Sequence, residues 1–474
     1  MTTSYDSVAY PSATFPQTHP DHLALIARLH GLATPAFEQA RVLEIGGGDG
    51  FNAIALAAVW PGAQFVSFDL SAEAVKRGQA LVAASGMANV RVEQGDILDF
   101  ARDMEPGSFD YIIAHGVYAW VPPVVQQATL DLVGRALSAD GLAFISFNAM
   151  PGGHVRRVMR DMLLHALQDV EAIEDRIVAA RAFLERYAER KDGDDAVVLA
   201  MRAQAEAMLG RPDAVLFHDE LGECFEPVSL TGISTDAAAR GLEFLADAGR
   251  NRLRDGFLAE DAPDDADTST QAILRCAQDD DYAAMRFFRQ SIFIREGRSP
   301  ARRPDLSCLP EFSAAGQFKS DGDGGIKVLG AEFALRDEGL TAWLLALGEG
   351  WPRHRPLSEL GDDPARFEAI FRLFAMGLIH LSNAPAPFSL TAGERPEASA
   401  LVRAQIALGS PHVTTLHFEQ MALEDEAARG LIAVLDGSRG RSDLEPLWQD
   451  LPHVAGLTLD QALELIAAQR LLRG

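Results

Sequence analysis

Three cysteines, Cys224, Cys276 and Cys308, are all that the 474 residues carry, and they lie far apart. They form no metal-binding or redox spacing, which fits a reducing compartment. Basic charge is short as well: 42 Lys and Arg face 68 Asp and Glu, for a net charge of −26. No basic stripe interrupts that excess, so nucleic acid is not an expected partner. No apolar run is long and unbroken enough to span a bilayer. The opening MTTSYDSVAYPS has no basic region followed by an apolar core, so no signal peptide is expected. These absences describe a soluble, cytoplasmic protein without a membrane span. Metal ligands are also missing, since no His/Cys cluster exists. The segment DGDGGIKVLGAE (321–332) has some of the spacing of a calcium loop, but Ile326 stands where that loop needs glycine, so a hairpin turn is expected there.

Apolar residues make up 48% of the chain, which argues for a folded protein of two or three domains. The acidic runs Asp192–Asp195 and Glu260–Asp267 read as solvated loops. Pro11, Pro16 and Pro20 make residues 1–20 an extended arm that enters the helix DHLALIARLHGL. From residue 41 strands and helices alternate: RVLEI, AQFVSFD, VRVEQGD, FDYIIAH and GLAFISFN are strands rich in Val, Ile and Phe. That pattern predicts an α/β fold with a parallel sheet covered on both faces. A helical insertion follows Pro151-Gly152-Gly153, with a break near Lys191–Asp194. Sheet-like signals return at EPVSL (226–230), LEFLA (242–246) and FRQSIFIRE (288–296). The Pro- and Arg-rich stretch 297–310 is the expected main boundary, and a separate, mostly helical domain lies beyond it.

The first strand runs into Glu44-Ile45-Gly46-Gly47-Gly48-Asp49-Gly50, and a helix follows. Glycines allow close backbone approach to a ligand and positive φ, and ligands of open α/β sheets bind outside the carboxyl ends of the strands. A dinucleotide fingerprint needs its third glycine at position 51, where Phe51 stands, so a dehydrogenase is disfavoured. Glu44, two residues before Gly46, suits a positively charged ligand. Asp69, followed by Leu70, ends the second strand and can accept both hydroxyls of a ribose. Asp96 ends the third strand and can accept an adenine amine, with Ile97 beside it to pack on the adenine face. Gly46, Gly48, Gly50, Asp69 and Asp96, in this order at strand ends, form a strong combined signal for a nucleoside-bearing cation.

This arrangement resembles the class I S-adenosylmethionine-dependent methyltransferases. The resemblance implies a Rossmann-like, seven-stranded methyltransferase sheet whose last two strands are those at 242–246 and 288–296. YDSVAYPS, the Thr-His-Pro entry to the first helix, GDILD (95–99) and FDYIIAHGVYAWVPP (109–123) are similar to one bacterial subgroup, as are FHDELGECFEPVSLTGISTDAAARGLEFL and FRQSIFIRE to its methyltransferase regulatory domain. Some members of that subgroup are protein-lysine methyltransferases that act on outer-membrane proteins. The subgroup often has cysteine where Gly47 stands, a change expected to be tolerated. The resulting division is 1–30, arm and lid helix; 31–153, cofactor-binding core; 154–297, helical insertion and regulatory region completing the sheet; and 298–474, the C-terminal helical domain, with a winged-helix-like fold as one option.

Methyl transfer from a sulfonium needs positioning and an unprotonated nucleophile, and no metal. The acceptor side of this fold is the loop after the fourth strand. Tyr118 and Trp120 there can form an aromatic channel for a lysine stem, and a dry channel would lower the amine's pKa. His115 is a candidate base or contact to the cofactor's methionine end; a structural role is the alternative for His115 and Trp120. Tyr5, Tyr10, Phe15, Thr18 and His19 of the arm can fold over the cofactor as a lid, with Tyr5 and Thr18 as cofactor contacts. His154 reads as a helix-start residue. Three functions stay open: methylation of protein lysine, methylation of a small molecule, and non-catalytic cofactor binding with a docking module. The intact set Glu44, Asp69, Asp96 argues against the third, and the size of the extra regions favours a large acceptor. Oligomeric state is not legible.

Overall fold

The computed structural model describes residues 4–190, 195–249, 252–322, 324–385, 387–452 and 456–474; the side chains of Ser4 and Tyr5, the expected break at Lys191–Asp194, and Asp323 lie outside the description. The chain opens with a short helix α1 (Ser4–Ser7) and the helix α2 (Pro20–Leu29). Pro20 sits in the first turn of α2, and the His19 ring accepts from the Asp21 amide, so the helix starts where its missing N–H costs nothing. The core then alternates as β1 (Arg41–Ile45), α3 (Phe51–Val59), β2 (Gln64–Asp69), α4 (Ala72–Ser85), β3 (Val90–Gln94), α5 (Ile97–Asp103), β4 (Phe109–Ala114), α6 (Pro123–Ala136) and β5 (Leu137–Asn148). Ser71 caps α4 through its hydroxyl and Gly86 ends it at φ 67°.

A helical insertion follows: α7 (Gly152–Ala166), α8 (Ile173–Ala188), α9 (Ala196–Leu209) and α10 (Asp213–Leu221). It has a core of its own, built around Met159, Leu163, Leu184 and Met208. His154 is in the first turn of α7, as expected. The chain returns to the sheet through α11 (Leu230–Ala238), β6 (Leu242–Asp247), α12 (Thr270–Ala284) and β7 (Phe288–Arg295). The resulting seven-stranded sheet has the order β3-β2-β1-β4-β5-β7-β6, with β7 antiparallel to both neighbours. Strand order reverses between β1 and β4, where an open sheet binds its ligand. One face is packed by α2 and α3, the other by α6, α11 and α12. EPVSL is not a strand: Val228 makes one isolated bridge to Ala149, and Ser229 already caps α11. The serine side chain offers the helix an N-terminus at the point where the strand would have to continue.

Beyond residue 298 the apolar core continues without a break. Phe312, Phe318, Phe371 and Phe374 join Leu25, Ile26 and Ile54 in one cluster, so this part is packed against α2 and α3. The Pro- and Arg-rich stretch is itself docked: the Ala301 and Asp305 amides donate to His30 O and Leu29 O. IKVLGAEFAL is a hairpin, β9 (Ile326–Val328) and β10 (Ala331–Phe333), beside β8 (Lys319–Ser320), in place of one strand. A second unit with its own core, Val402, Leu431, Trp448 and Leu463 among others, occupies the last 80 residues or so and carries a small antiparallel pair, His412–Thr414 with Gln420–Ala422.

Behind β6 and β7 lies a dry charge cluster. Arg289 is fully buried, with Nε 2.7 Å from Asp281 and its other nitrogens 3.3–3.4 Å from Asp255 and Asp247. Arg286 completes it on Asp255 and Asp281. Removing one partner of such a cluster strands the others without water. Arg289→Met is expected to destabilise the fold by about 3–5 kcal/mol, read as a shift in the denaturant midpoint; a shift below about 1 kcal/mol would show the cluster to be solvated.

Candidate functional site

The turn after β1 is held from below. Gly46 and Gly47 donate to Phe68 O at 2.9 and 3.2 Å, and Gly46, Gly48 and Gly50 adopt φ 63°, 61° and 68°. At Gly46 the absent side chain has a second use, because a Cβ would lie 2.4 Å from Val117 Cγ2 in the loop after β4. Glu44, expected to suit a charged ligand, is turned into the protein beneath the turn. It is 4% exposed, and both carboxylate oxygens are engaged, Oε1 by Asn52 Nδ2 and Oε2 by Ser67 Oγ, each at 2.8 Å. Glu44 and Ser67 are register partners on β1 and β2, so their side chains meet on one face of the sheet. A Cβ at Gly47 would lie 2.2 Å from Ser67 Oγ and 2.5 Å from Glu44 Oε2. Gly47 is therefore matched to this pair, and the expectation that a cysteine would be tolerated there is corrected: its Cβ would collide with both groups. Burial pushes the Glu44 carboxyl from 4.5 up to about 7, against the pull of its hydrogen bonds from Asn52, Ser67 and the Ala53 amide.

The acids at the ends of β2 and β3 are placed differently. Asp69 Oδ2 accepts the Gly48 amide and Oδ1 the Ser71 amide, both at 2.9 Å, which fixes the carboxylate between the turn and the start of α4. Burial raises its pKa. Leu70 beside it is 46% exposed, an apolar surface next to a fixed acid. Asp96 caps α5, its Oδ1 accepting the Leu98 amide at 2.9 Å, and the half-buried Ile97 packs on the core behind it. A Cβ added at Gly48 would meet nothing within 4 Å. Backbone space at Gly48, a fixed carboxylate, an apolar side chain and a second acid fit an adenosyl group with a charged tail. Asp69 and Asp96 are the residues that would hold its ribose and adenine.

The loop after β4 corrects two expectations. Tyr118 is 1% exposed and lies in the core, its ring centroid 6.4 Å from that of Phe147. Burial and the charge of Asp236 raise its pKa. A Val117-to-Trp120 turn in 3₁₀ geometry points the phenol inward, so it lines no channel. Trp120 is half-buried against Phe225 at 5.0 Å, and the Arg156 and Arg160 guanidinium carbons lie 4.9 and 5.6 Å from its ring centroid. Arginines of α7 already use the ring. His115 alone stays at the end of β4. Ser146 Oγ lies 2.9 Å from its Nδ1 and also accepts the Gly116 amide. Its ring is surrounded by Phe15 at 4.0 Å, Phe144 at 5.8 Å and Phe288 at 6.2 Å. Burial lowers its pKa to about 4, so the ring is uncharged near neutrality. Phe288, Ser146, Asn52 and Ser67 carry no motif; only the strand-end positions of Ser67, Ser146 and Phe288 could have pointed to them.

The arm lies over the turn. Ser12 Oγ donates to Asp49, the Phe15 amide donates to Asn52 Oδ1 at 3.0 Å, and Thr18, fully buried, accepts from Asn52 Nδ2 at 3.1 Å. Asp6 reaches the far side, accepting from Ser71 Oγ at 2.7 Å. Tyr10 packs on His218 at 5.7 Å, and burial with the nearby Asp219 pushes its pKa up to about 12. His19 turns away from the turn, toward Trp60 and Phe418. Tyr5 is within α1, and its side chain is outside the description. Among the described residues no group of His, Cys, Asp or Glu could hold a metal, and no helix is long and apolar enough to cross a membrane.

Comparison with known proteins gives three family matches: a methyltransferase domain over 36–174, a predicted methyltransferase regulatory domain over 212–295, and the PKMT C-terminal winged helix domain over 394–470. Two uncharacterized proteins of Rickettsia prowazekii are similar, one 33% identical over 46% of this chain and 88% of its own length, the other 31% identical over 65% and 56%. An uncharacterized Synechocystis protein is 25% identical over 51% of this chain and 48% of its own. The chain thus spans only about half the length of two of these relatives. The solved structure of PKMT2 from Rickettsia typhi superposes with a TM-score of 0.78 at 21% identity, over 98% of this chain and all of that one. The same protein in complex with AdoHcy gives 0.76 at 20% identity over the same shares.

The Glu44 carboxyl makes the pH response testable. Its folded pKa, about 7, lies above its ordinary 4.5, so its contribution to stability is complete below 4.5 and is lost as pH rises through about 7. Gln at this position keeps an acceptor for Asn52 and a donor for Ser67 without the charge. The stability of Glu44→Gln relative to the parent chain is expected to grow by up to ~3 kcal/mol between about pH 4.5 and pH 8. Denaturant melts without cofactor measure it, and a pH-independent difference would mean that Glu44 is not held protonated.

Proposed function

The chain belongs to the S-adenosylmethionine-dependent methyltransferases that carry a methyltransferase regulatory domain and a PKMT winged helix, and on that premise we propose that it methylates the side-chain amine of protein lysine. The observation that carries the proposal is the surround of His115: an uncharged ring at the end of β4, beside the glycine turn and enclosed by Phe15, Phe144 and Phe288. S-adenosylmethionine, when bound, would supply a methyl group on a sulfonium: an amine lone pair would form the N–C bond in line as the C–S bond breaks and the neutral thioether leaves. The protein's part is to bind, orient and desolvate. Asp69 and Asp96 hold the nucleoside, and Leu70 and Ile97 flank it. The aromatic enclosure disfavours the ammonium form of a lysine that enters, so its proton is given up to solvent before transfer. A neutral His115 adds no positive charge against either reactant. Tyr118 and Trp120 support this loop from behind.

The regulatory region and the winged helix extend the chain well beyond what a small acceptor needs, and PKMT2 from Rickettsia typhi has the same fold throughout. An outer-membrane protein as acceptor, and action in the cytoplasm by a chain with three unpaired cysteines, belong to this proposal. The test uses methyl-labelled S-adenosylmethionine with fractionated extract, membrane fractions included. Label is expected in protein bands, released as methyllysine on hydrolysis, and reduced at least 100-fold, ~2.7 kcal/mol, by Asp69→Ala. Label confined to small molecules overturns the protein acceptor, and binding without transfer to any fraction overturns the enzyme.

A further inference from the structure

Asn52 stands in the first turn of α3 and spends its carboxamide on three partners. Oδ1 accepts the Phe15 amide at 3.0 Å, and Nδ2 donates to Thr18 Oγ1 at 3.1 Å and to Glu44 Oε1 at 2.8 Å. Two partners belong to the arm and one to the base of the glycine turn. Asn52 and Thr18 are 3% and 0% exposed, so water cannot stand in for a lost partner. Through Glu44 the connection runs on to Ser67, whose hydroxyl fills the space that the missing Cβ of Gly47 leaves. Phe15, fixed by the same carboxamide, lies on the His115 ring. The arm and the turn are thus one hydrogen-bonded unit, and neither can move without leaving Asn52 groups unpaired.

We propose that Asn52 is a positioning residue that couples closure of the N-terminal arm to the shape of the cofactor-binding turn, with Thr18 as the arm's half of the latch. This rests on the reading of the turn as the S-adenosylmethionine site. When the arm is docked, Asn52 directs one N–H at Glu44 and the turn has its binding shape. When the arm lifts, Asn52 loses two of three partners and its carboxamide is free to rotate off Glu44.

Thr18→Val removes the hydroxyl and keeps the volume, while Thr18→Ser keeps the hydroxyl. Binding of S-adenosylmethionine to the full chain is measured by calorimetry, and the arm is followed by limited proteolysis with and without saturating cofactor. Thr18→Val removes the hydrogen bond from Asn52 and also the one that the hydroxyl donates to Phe15 O within the arm at 2.8 Å; it is expected to weaken binding about tenfold or more and to leave the arm open to protease even with cofactor bound. Thr18→Ser is expected to restore both within about twofold, a rescue that loss of packing alone would not show. Unchanged affinity in Thr18→Val, a Thr18→Ser as weak as Thr18→Val, or an arm equally protected in both overturns the latch. If the parent chain binds cofactor and Asp69→Ala does not, the site reading stands whatever Thr18 does; a parent chain that binds no cofactor removes both.

Discussion

A buried carboxylate governs the shape of the site. Glu44 lies near the end of β1 under the glycine turn, and its oxygens are met by neutral donors, the Asn52 and Ser67 side chains and the Ala53 amide. Among the described residues no cation is paired with it, so the group carries a large desolvation cost, and its pKa is raised accordingly. Leaving any donor unmatched would add ~1–3 kcal/mol. The side chains around Glu44 are therefore constrained as a set: Ser67 must be small and hydroxylated, Gly47 must lack a Cβ, and Asn52 must present an N–H. Once they are in place, the turn above them has little freedom, and Asp69 closes it by accepting the Gly48 amide.

The arm and the C-terminal half depend on this frame and stabilise it in return. Thr14 Oγ1 donates to Phe418 O at 2.9 Å, and Arg473 reaches Ala58 O at the end of α3. Asp21 at the start of α2 accepts from Ser382 Oγ and from the Asn383 amide, at 2.6 and 2.8 Å. Each bond joins residues more than 350 positions apart in sequence, so the segments that cover the glycine turn are themselves covered by the last third of the chain. A continuous apolar core from α2 to Phe418 does the same on a larger scale.

What the sequence made legible follows from how local each signal is. Strand–glycine–helix punctuation and acids at strand ends are written within a few residues, so the turn, the strand-end positions of Asp69 and Asp96 and the alternation of strands and helices could be read directly. The direction of a side chain in a loop is not local. Tyr118 and Trp120 share their loop with His115, yet a single 3₁₀ turn sends the phenol into the core, and the indole meets arginines from α7, a helix some 40 residues further on. Glu44 was legible as an acid at the right place, but its function in the turn was not, because Asn52 and Ser67 belong to no motif. EPVSL has the composition of a strand, and the Ser229 cap decides otherwise.

The surround of His115 shows the same principle most fully. The rings around His115 come from the arm (Phe15), from β5 (Phe144) and from the start of β7 (Phe288). β5 alone lies next to β4 in sequence order. Phe288 arrives because β7 runs antiparallel, so its N-terminal residue pairs with Asn148 at the carboxyl end of β5. A parallel seventh strand would have put its first residue at the opposite edge of the sheet. The regulatory region therefore does more than complete the sheet. By reversing one strand it brings a further aromatic residue, 39% exposed, to the carboxyl end of the parallel strands, beside Phe144 of the parallel β5. Changes in α12 or at the start of β7 therefore act first on the ring environment of His115, whereas changes in the insertion also reach the arm, through the packing of Tyr10 on His218.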